Sequence, residues 1–168
     1  MQGSDVFLTL AEVAIAFAGF ASIAILFRRR DQGSWTPEDA FRYRSMLANS
    51  LFACAFAFLP LILGRFELTD QALWPTCSAL LFIYYAYRVS ANVPAAFRLA
   101  AQRGEQLPGD FALNIGNATI VLLLQLGNLL AFPFDRGPAP YLAGVALLLA
   151  NAGTNFFKLV TVPKPSPE

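Results

Sequence analysis

The sequence predicts an all-α polytopic membrane protein, a bundle of five transmembrane helices, and three observations carry that expectation. Of its 168 residues 57% are hydrophobic and only 14% charged, a balance typical of chains that bury themselves in lipid. Five apolar stretches, each close to the roughly 20 residues a helix needs to cross hydrocarbon, are separated by short polar segments. Ten of the twelve Lys and Arg residues fall in alternate connections, leaving Arg65 and Arg136 on the other side, and basic connections stay in the cytoplasm. This places the N-terminus outside, the C-terminus inside, and the protein in a bacterial-type inner membrane.

The first span, Val6 to Phe27, holds a single charge, Glu12, and ends at Arg28, Arg29 and Arg30. It lacks a basic leader and exceeds the length of a signal-peptide core, so cleavage is not expected. On a helical wheel one small stripe contains Ala11, Ala14, Ala18, Ala21 and Ser22, and a second contains Glu12, Ala16, Gly19 and Ile23. Larger Val13, Phe17 and Phe20 fill much of the rest. Small residues let helix backbones approach closely in lipid, so Ala14, Ala18, Gly19 and Ser22 are expected to pack helices, with two close neighbours for this one.

Gly33 is a plausible stop, and Thr36-Pro37-Glu38-Asp39 is a helix start with cap, first-turn proline and acids at the positive end. The second helix then runs through Arg42 and Arg44 into an apolar stretch, Ser45 to Gly64, that includes Asn49, Ser50 and Pro60. The third span covers Ala72 to Val93, with Trp74 at the outer interface and Tyr84, Tyr85, Tyr87 and Arg88 at the inner one. Pro94 is expected to bend or stop it, with Ala95 to Arg103 as a short surface helix. After a turn at Leu107-Pro108-Gly109, Asp110 is expected to cap the fourth span, Ala112 to Pro133.

The fourth span carries Asn114, Asn117, Gln125 and Asn128 within about 80° of one another on the wheel, an amide stripe that does not belong against lipid. A brief loop, Phe134 to Ala139, leads to the fifth span, Pro140 to Val162, where Gly144, Leu148, Asn151, Asn155 and Lys158 share a side. One membrane domain covers residues 1–163, and the Pro-rich tail 164–168 is expected to be disordered.

Several chemistries are excluded. The chain has no His, which removes the usual proton shuttle, the commonest metal ligand and any His-activated nucleophile. Cys54 and Cys77 lack metal or redox spacing and read as small packing residues. No enzyme activity, cofactor or metal is expected, and a net charge of +1 gives nucleic acid no handle.

Glu12 and the amides form the candidate polar site. Depth sorts them into an outer layer of Glu12, Gln125 and Asn128 and an inner one of Asn49, Asn114, Asn117 and Asn155, with Asn151 on the same side of the fifth span. An ionisable group within a span is a functional hypothesis by default, and Glu12 is set equally to act as a clamp near the headgroups or Arg65. Amides strip water from a solute or hydrogen-bond helix to helix. Two functions follow: a module that associates with itself or with another membrane protein, or a small oligomeric channel or carrier for ions lined by these residues. Arg28, Arg29, Arg30, Arg42 and Arg44 set topology and offer an anionic lipid a contact.

The pairs Ala11-Glu12 and Phe17-Ala18-Gly19-Phe20, an Arg-bearing second helix closing on Leu59-Pro60-Leu61, and Tyr141 with Phe156-Phe157-Lys158-Leu159 in the last helix together resemble small five-span bacterial inner-membrane proteins of unassigned function. That resemblance implies a fold and a location, and no catalytic or binding residue.

Overall fold

The structure, a computed structural model, describes residues 4–32, 37–103, 109–133 and 135–161. Among them the chain is all-helical: α1 (Ser4–Gln32), α2 (Pro37–Leu63), a short 3-10 turn (Gly64–Phe66), α3 (Asp70–Arg103), α4 (Gly109–Leu130) and α5 (Pro138–Thr161). Three segments are long and apolar enough to cross a membrane: Ser4–Ile23 and Tyr43–Phe66, each with mean hydropathy 2.1, and Phe111–Leu130 with 1.4. α3 and α5 are long enough but are not among them; Tyr84, Tyr85, Tyr87 and Arg88 dilute the one, Asn151, Asn155 and Lys158 the other.

Helix ends follow local chemistry. Asp5 lies in the first turn of α1 and Asp70 in that of α3, where a carboxylate meets the positive end of the helix. Pro37 opens α2 and Pro138 opens α5, positions where a missing N–H costs no hydrogen bond. The backbone N–H groups of Ala72 and Leu73 both donate to the carbonyl of Thr69 at 2.9 Å, starting α3. α4 ends in a Schellman motif: Ala131 adopts a left-handed conformation at φ 54, and the Phe132 N–H donates back to the Gly127 carbonyl at 3.1 Å. Arg136 donates to the Leu129 carbonyl at 3.2 Å, satisfying another acceptor of that last turn.

Two boundaries differ from expectation. α3 continues through Pro94 to Arg103, so the expected surface helix is the end of the same element. Asp110 falls inside the first turn of α4, which begins at Gly109, rather than capping it. Gly33, Thr36, Leu107, Pro108 and the tail 164–168 lie outside the described residues.

The chain divides into two units, Met1–Phe58 with Leu148–Glu168, and Leu59–Leu147. In the first, α1 buries Phe7, Ala11, Ala14 and Ala21 on one face, and α2 buries Met46, Asn49, Ser50, Ala53 and Ala57, the spacing of a helix stripe. Ala21, Met46 and Ala152 form a core against which Tyr43 and Phe156 pack. Phe17 stands edge-on to Phe156 at 6.3 Å, above Gly153. In the second, α3 packs on α4, with Leu73, Trp74, Cys77, Ser78, Leu81 and Tyr85 buried along α3. Trp74 meets Tyr141 of α5 at 6.4 Å, and Phe97 meets Phe111 at 5.5 Å. Cys77 is buried, Cys54 half-buried, and both are free thiols.

The apolar interior admits a few amides while large apolar side chains also cover the outside. Asn49, Gln125 and Asn128 are buried, while Phe20, Ile83, Leu113, Leu123 and Leu130 are more than half exposed. Amides inside and leucines outside suit a chain whose solvent is hydrocarbon.

Candidate functional site

Asn128 is fully buried near the C-terminal end of α4. Its Nδ2 donates to Ser78 Oγ of α3 at 2.8 Å and to the Gly137 carbonyl at 3.1 Å, while its Oδ1 accepts the Gly137 N–H at 2.9 Å. One turn earlier, equally buried Gln125 donates through Nε2 to the Pro140 carbonyl at 2.9 Å. Further along, half-buried Asn117 donates to the Leu147 carbonyl at 3.3 Å. As the position on α4 advances from 117 to 128, the partner on the other side retreats from 147 to 137, the register of two antiparallel neighbours.

The helices make this ladder possible in a specific way. A 3.6-residue period turns Asn117, Val121, Gln125 and Asn128 to one side of α4. Pro138 and Pro140 reduce the number of unpaired N–H groups at the start of α5. At Gly144 there is no room for a side chain: an added Cβ would overlap Gln125 Nε2 and approach Leu81 Cδ2 to 2.9 Å. Gly144 thus makes space for the Gln125 amide, which the stripe on α4 alone does not disclose. Each amide bond of this kind contributes about 0.6–2 kcal/mol in a membrane.

Among the other candidate residues, Asn114 is exposed in the second turn of α4. Asn151 and Asn155 are half-buried, and Asn155 Nδ2 donates to the Asn151 carbonyl at 3.0 Å within α5. Asn49 is 2% exposed and Ser50 fully buried; Asn49 Nδ2, Ser50 Oγ and Gln125 Oε1 have no hydrogen-bond partner among the described residues. Glu12 is exposed and makes no hydrogen bond or ion pair among those residues. The partners of Gln125 and Asn128 are thus Pro140, Gly137 and Ser78.

The packing residues of α1 separate similarly. Ala14 is buried and Ala18 half-buried, whereas Gly19 and Ser22 are exposed. Ser22 Oγ returns to the Ala18 carbonyl at 2.9 Å, and a Cβ added at Gly19 meets nothing within 4 Å. The alanines of the first stripe are therefore used within one copy of the chain, while Ser22 and the second stripe face outward. Phe17, grouped with the bulky remainder, is half-buried against Phe156 and Gly153.

The angular spacing of the amide stripe does not point to Ser78, Gly137, Pro140 and Gly144 as its partners. Their signals in the sequence are faint: a serine among apolar residues, and a Gly-Pro-Ala-Pro sequence that reads as a simple turn.

Apolar segments long enough to cross a bilayer, with buried amides between helices, define a helical membrane protein. No family model, curated protein or solved structure matches the chain.

Proposed function

We propose that this is a multi-pass inner-membrane module of five spans, N-terminus outside and C-terminus in the cytoplasm, that performs no catalysis and works by associating with itself or with another membrane protein. One observation carries the reading: the amides of α4 that face inward donate to backbone carbonyls at 137, 140 and 147 and to Ser78, joining helices rather than standing free along a path. Glu12 is exposed on α1.

A small channel or carrier is the second reading. The buried, unpartnered polar atoms of Asn49, Ser50 and Gln125 favour it, because such atoms cost about 1–3 kcal/mol each when left without a partner.

Mass measurement of the detergent-solubilised protein, followed by flux of protons, sodium and potassium across liposomes containing it, tests both. Assembly beyond one copy without flux above empty vesicles supports the module. Saturable or pH-dependent flux sinks it in favour of transport.

A further inference from the structure

We propose that one side of α3, where Tyr85, Arg88 and Asn92 follow one another beside Tyr84, binds a phosphate oxyanion within the bilayer, at a site separate from the amides of α4. It requires α3 to cross the membrane but neither self-association nor transport.

Helical spacing builds the site. Ser78, Leu81, Tyr85, Arg88 and Asn92 recur every three or four residues and share one side of α3. The first three are buried, Arg88 is half-buried and Asn92 exposed, so the seam that is closed where Ser78 meets Asn128 opens one turn beyond Tyr85.

Register gives its depth. The Ser78 to Asn128 hydrogen bond and the edge-on pair of Phe97 and Phe111 fix how α3 and α4 lie alongside each other. At equal rise per residue Arg88 comes level with Thr119, and the apolar segment Phe111–Leu130 continues about 12 Å beyond that level towards Phe111. The side chain does not stretch for that end. Its guanidinium lies over the ring of Tyr84, one turn back along the helix, 5.9 Å from the centroid, a contact that holds the cation in place.

Everything about this charge is a donor. The chain has no Asp or Glu from 71 to 104, the one acid of α4 is Asp110 in its first turn, and Arg88 makes no ion pair among the described residues. Tyr85 Oη is buried and has no hydrogen-bond partner among those residues, and the charge of Arg88 acts on the hydroxyls of both Tyr84 and Tyr85. An ionisable group inside a span without a counter-charge is a functional group by default. A guanidinium fork, a phenol and a carboxamide offer more donors than a halide ion or a single carbonyl uses, and phosphate has the oxygens to accept from all of them. The ammonium of a zwitterionic headgroup would find no carboxylate here, so the ligand is a phosphate of net negative charge, carried by an anionic lipid or free in solution.

Two probes separate those sources: radiolabelled phosphatidylglycerol, scored against phosphatidylcholine on the detergent-purified full-length protein, and radiolabelled inorganic phosphate on the protein in phosphatidylcholine nanodiscs. Retention of the first assigns a lipid and retention of the second a soluble anion. For whichever is retained, Arg88→Gln should lower retention at least about tenfold, as loss of a charge-assisted pair does, and Arg88→Lys should recover only part of it because the fork is lost. Arg98→Gln, an exposed arginine further along α3, should change little; an equal loss at positions 88 and 98 means diffuse attraction to basic residues and overturns the site. Should Arg88→Gln fail to insert, Tyr85→Phe removes a single buried oxygen and should weaken retention about threefold or more. Wild-type protein that retains neither probe, or retention unchanged in both Arg88→Gln and Tyr85→Phe, overturns the proposal.

Discussion

Asn128 and Gly137 bind each other in both directions, the Gly137 N–H donating to Oδ1 at 2.9 Å and Nδ2 donating to the Gly137 carbonyl at 3.1 Å. A side-chain amide thereby takes the place of a backbone partner and closes the connection between α4 and α5. Asn128→Ala should lose this exchange and the bond to Ser78, destabilising the protein by about 2–6 kcal/mol given about 0.6–2 kcal/mol for each of the three bonds. Asn128→Asp keeps the acceptor for Gly137 and should cost less at a pH where it is neutral. Unfolding in mixed micelles, followed by circular dichroism, measures both; an Ala variant as stable as wild type would remove this connection from the framework.

Gly144 and Gln125 are coupled through space that only one of them can occupy. Gly144→Ala should push the Gln125 amide off Pro140 and lower stability by about 1–3 kcal/mol, the usual cost of overpacking. In a Gln125→Ala background the same change should cost much less, so a double-mutant cycle reads a favourable coupling. Gly116→Ala, where the added Cβ meets nothing within 4 Å, is the control and should be neutral or slightly stabilising.

Ala131 pays for its left-handed conformation, φ 54, where glycine is unstrained. Ala131→Gly should raise stability by about 1 kcal/mol through relief of that strain, provided the Phe132 to Gly127 bond is retained. A loss of stability on this change would mean that the methyl group makes packing contacts worth more than the strain.

Phe17 and Phe20 are three residues apart on α1 with opposite roles. Phe17 touches Phe156 and lies over Gly153, while Phe20 is 64% exposed. Phe17→Ala should cost about 1–3 kcal/mol, below the range for a fully buried phenylalanine, and Phe20→Ala almost nothing in a single copy. Equal melting temperatures for the two variants would contradict this assignment of faces.

Topology is tested by reporter fusions. Those at Gln32 and Gln102 should report cytoplasm, and those at Asp70 and Gly137 the outside, following the ten-to-two division of basic residues. A cytoplasmic result at Gly137 would withdraw the last two spans.

Periodicity and composition made the helices legible, since α1, α2, α4 and α5 each lie within a few residues of where apolar length, Pro37 and the polar connections placed them. Pro94 predicts a break because proline removes a donor and disfavours the helical conformation before it; α3 nonetheless continues through it. The amide stripe of α4 was visible from its angular spacing, and Asn117, Gln125 and Asn128 do turn inward. Their acceptors were not visible, because backbone carbonyls are the same in every residue and the wheel of one helix holds no information about the register of its neighbour. The two stripes of α1 looked alike for the same reason. Only tertiary packing separates Ala14, which is buried, from Gly19, which is not.

The hydrogen bonds of α4 also bear on how the chain enters a bilayer during synthesis. On its own, this segment would present Gln125 and Asn128 to acyl chains, a poor passenger for release one helix at a time. Most of its acceptors lie only nine to thirty residues downstream, at Gly137, Pro140 and Leu147, and Ser78 has already been made. The segment gains its partners as soon as the next stretch emerges from the ribosome, which favours its leaving the insertion machinery together with α5, as a hairpin already folded upon itself.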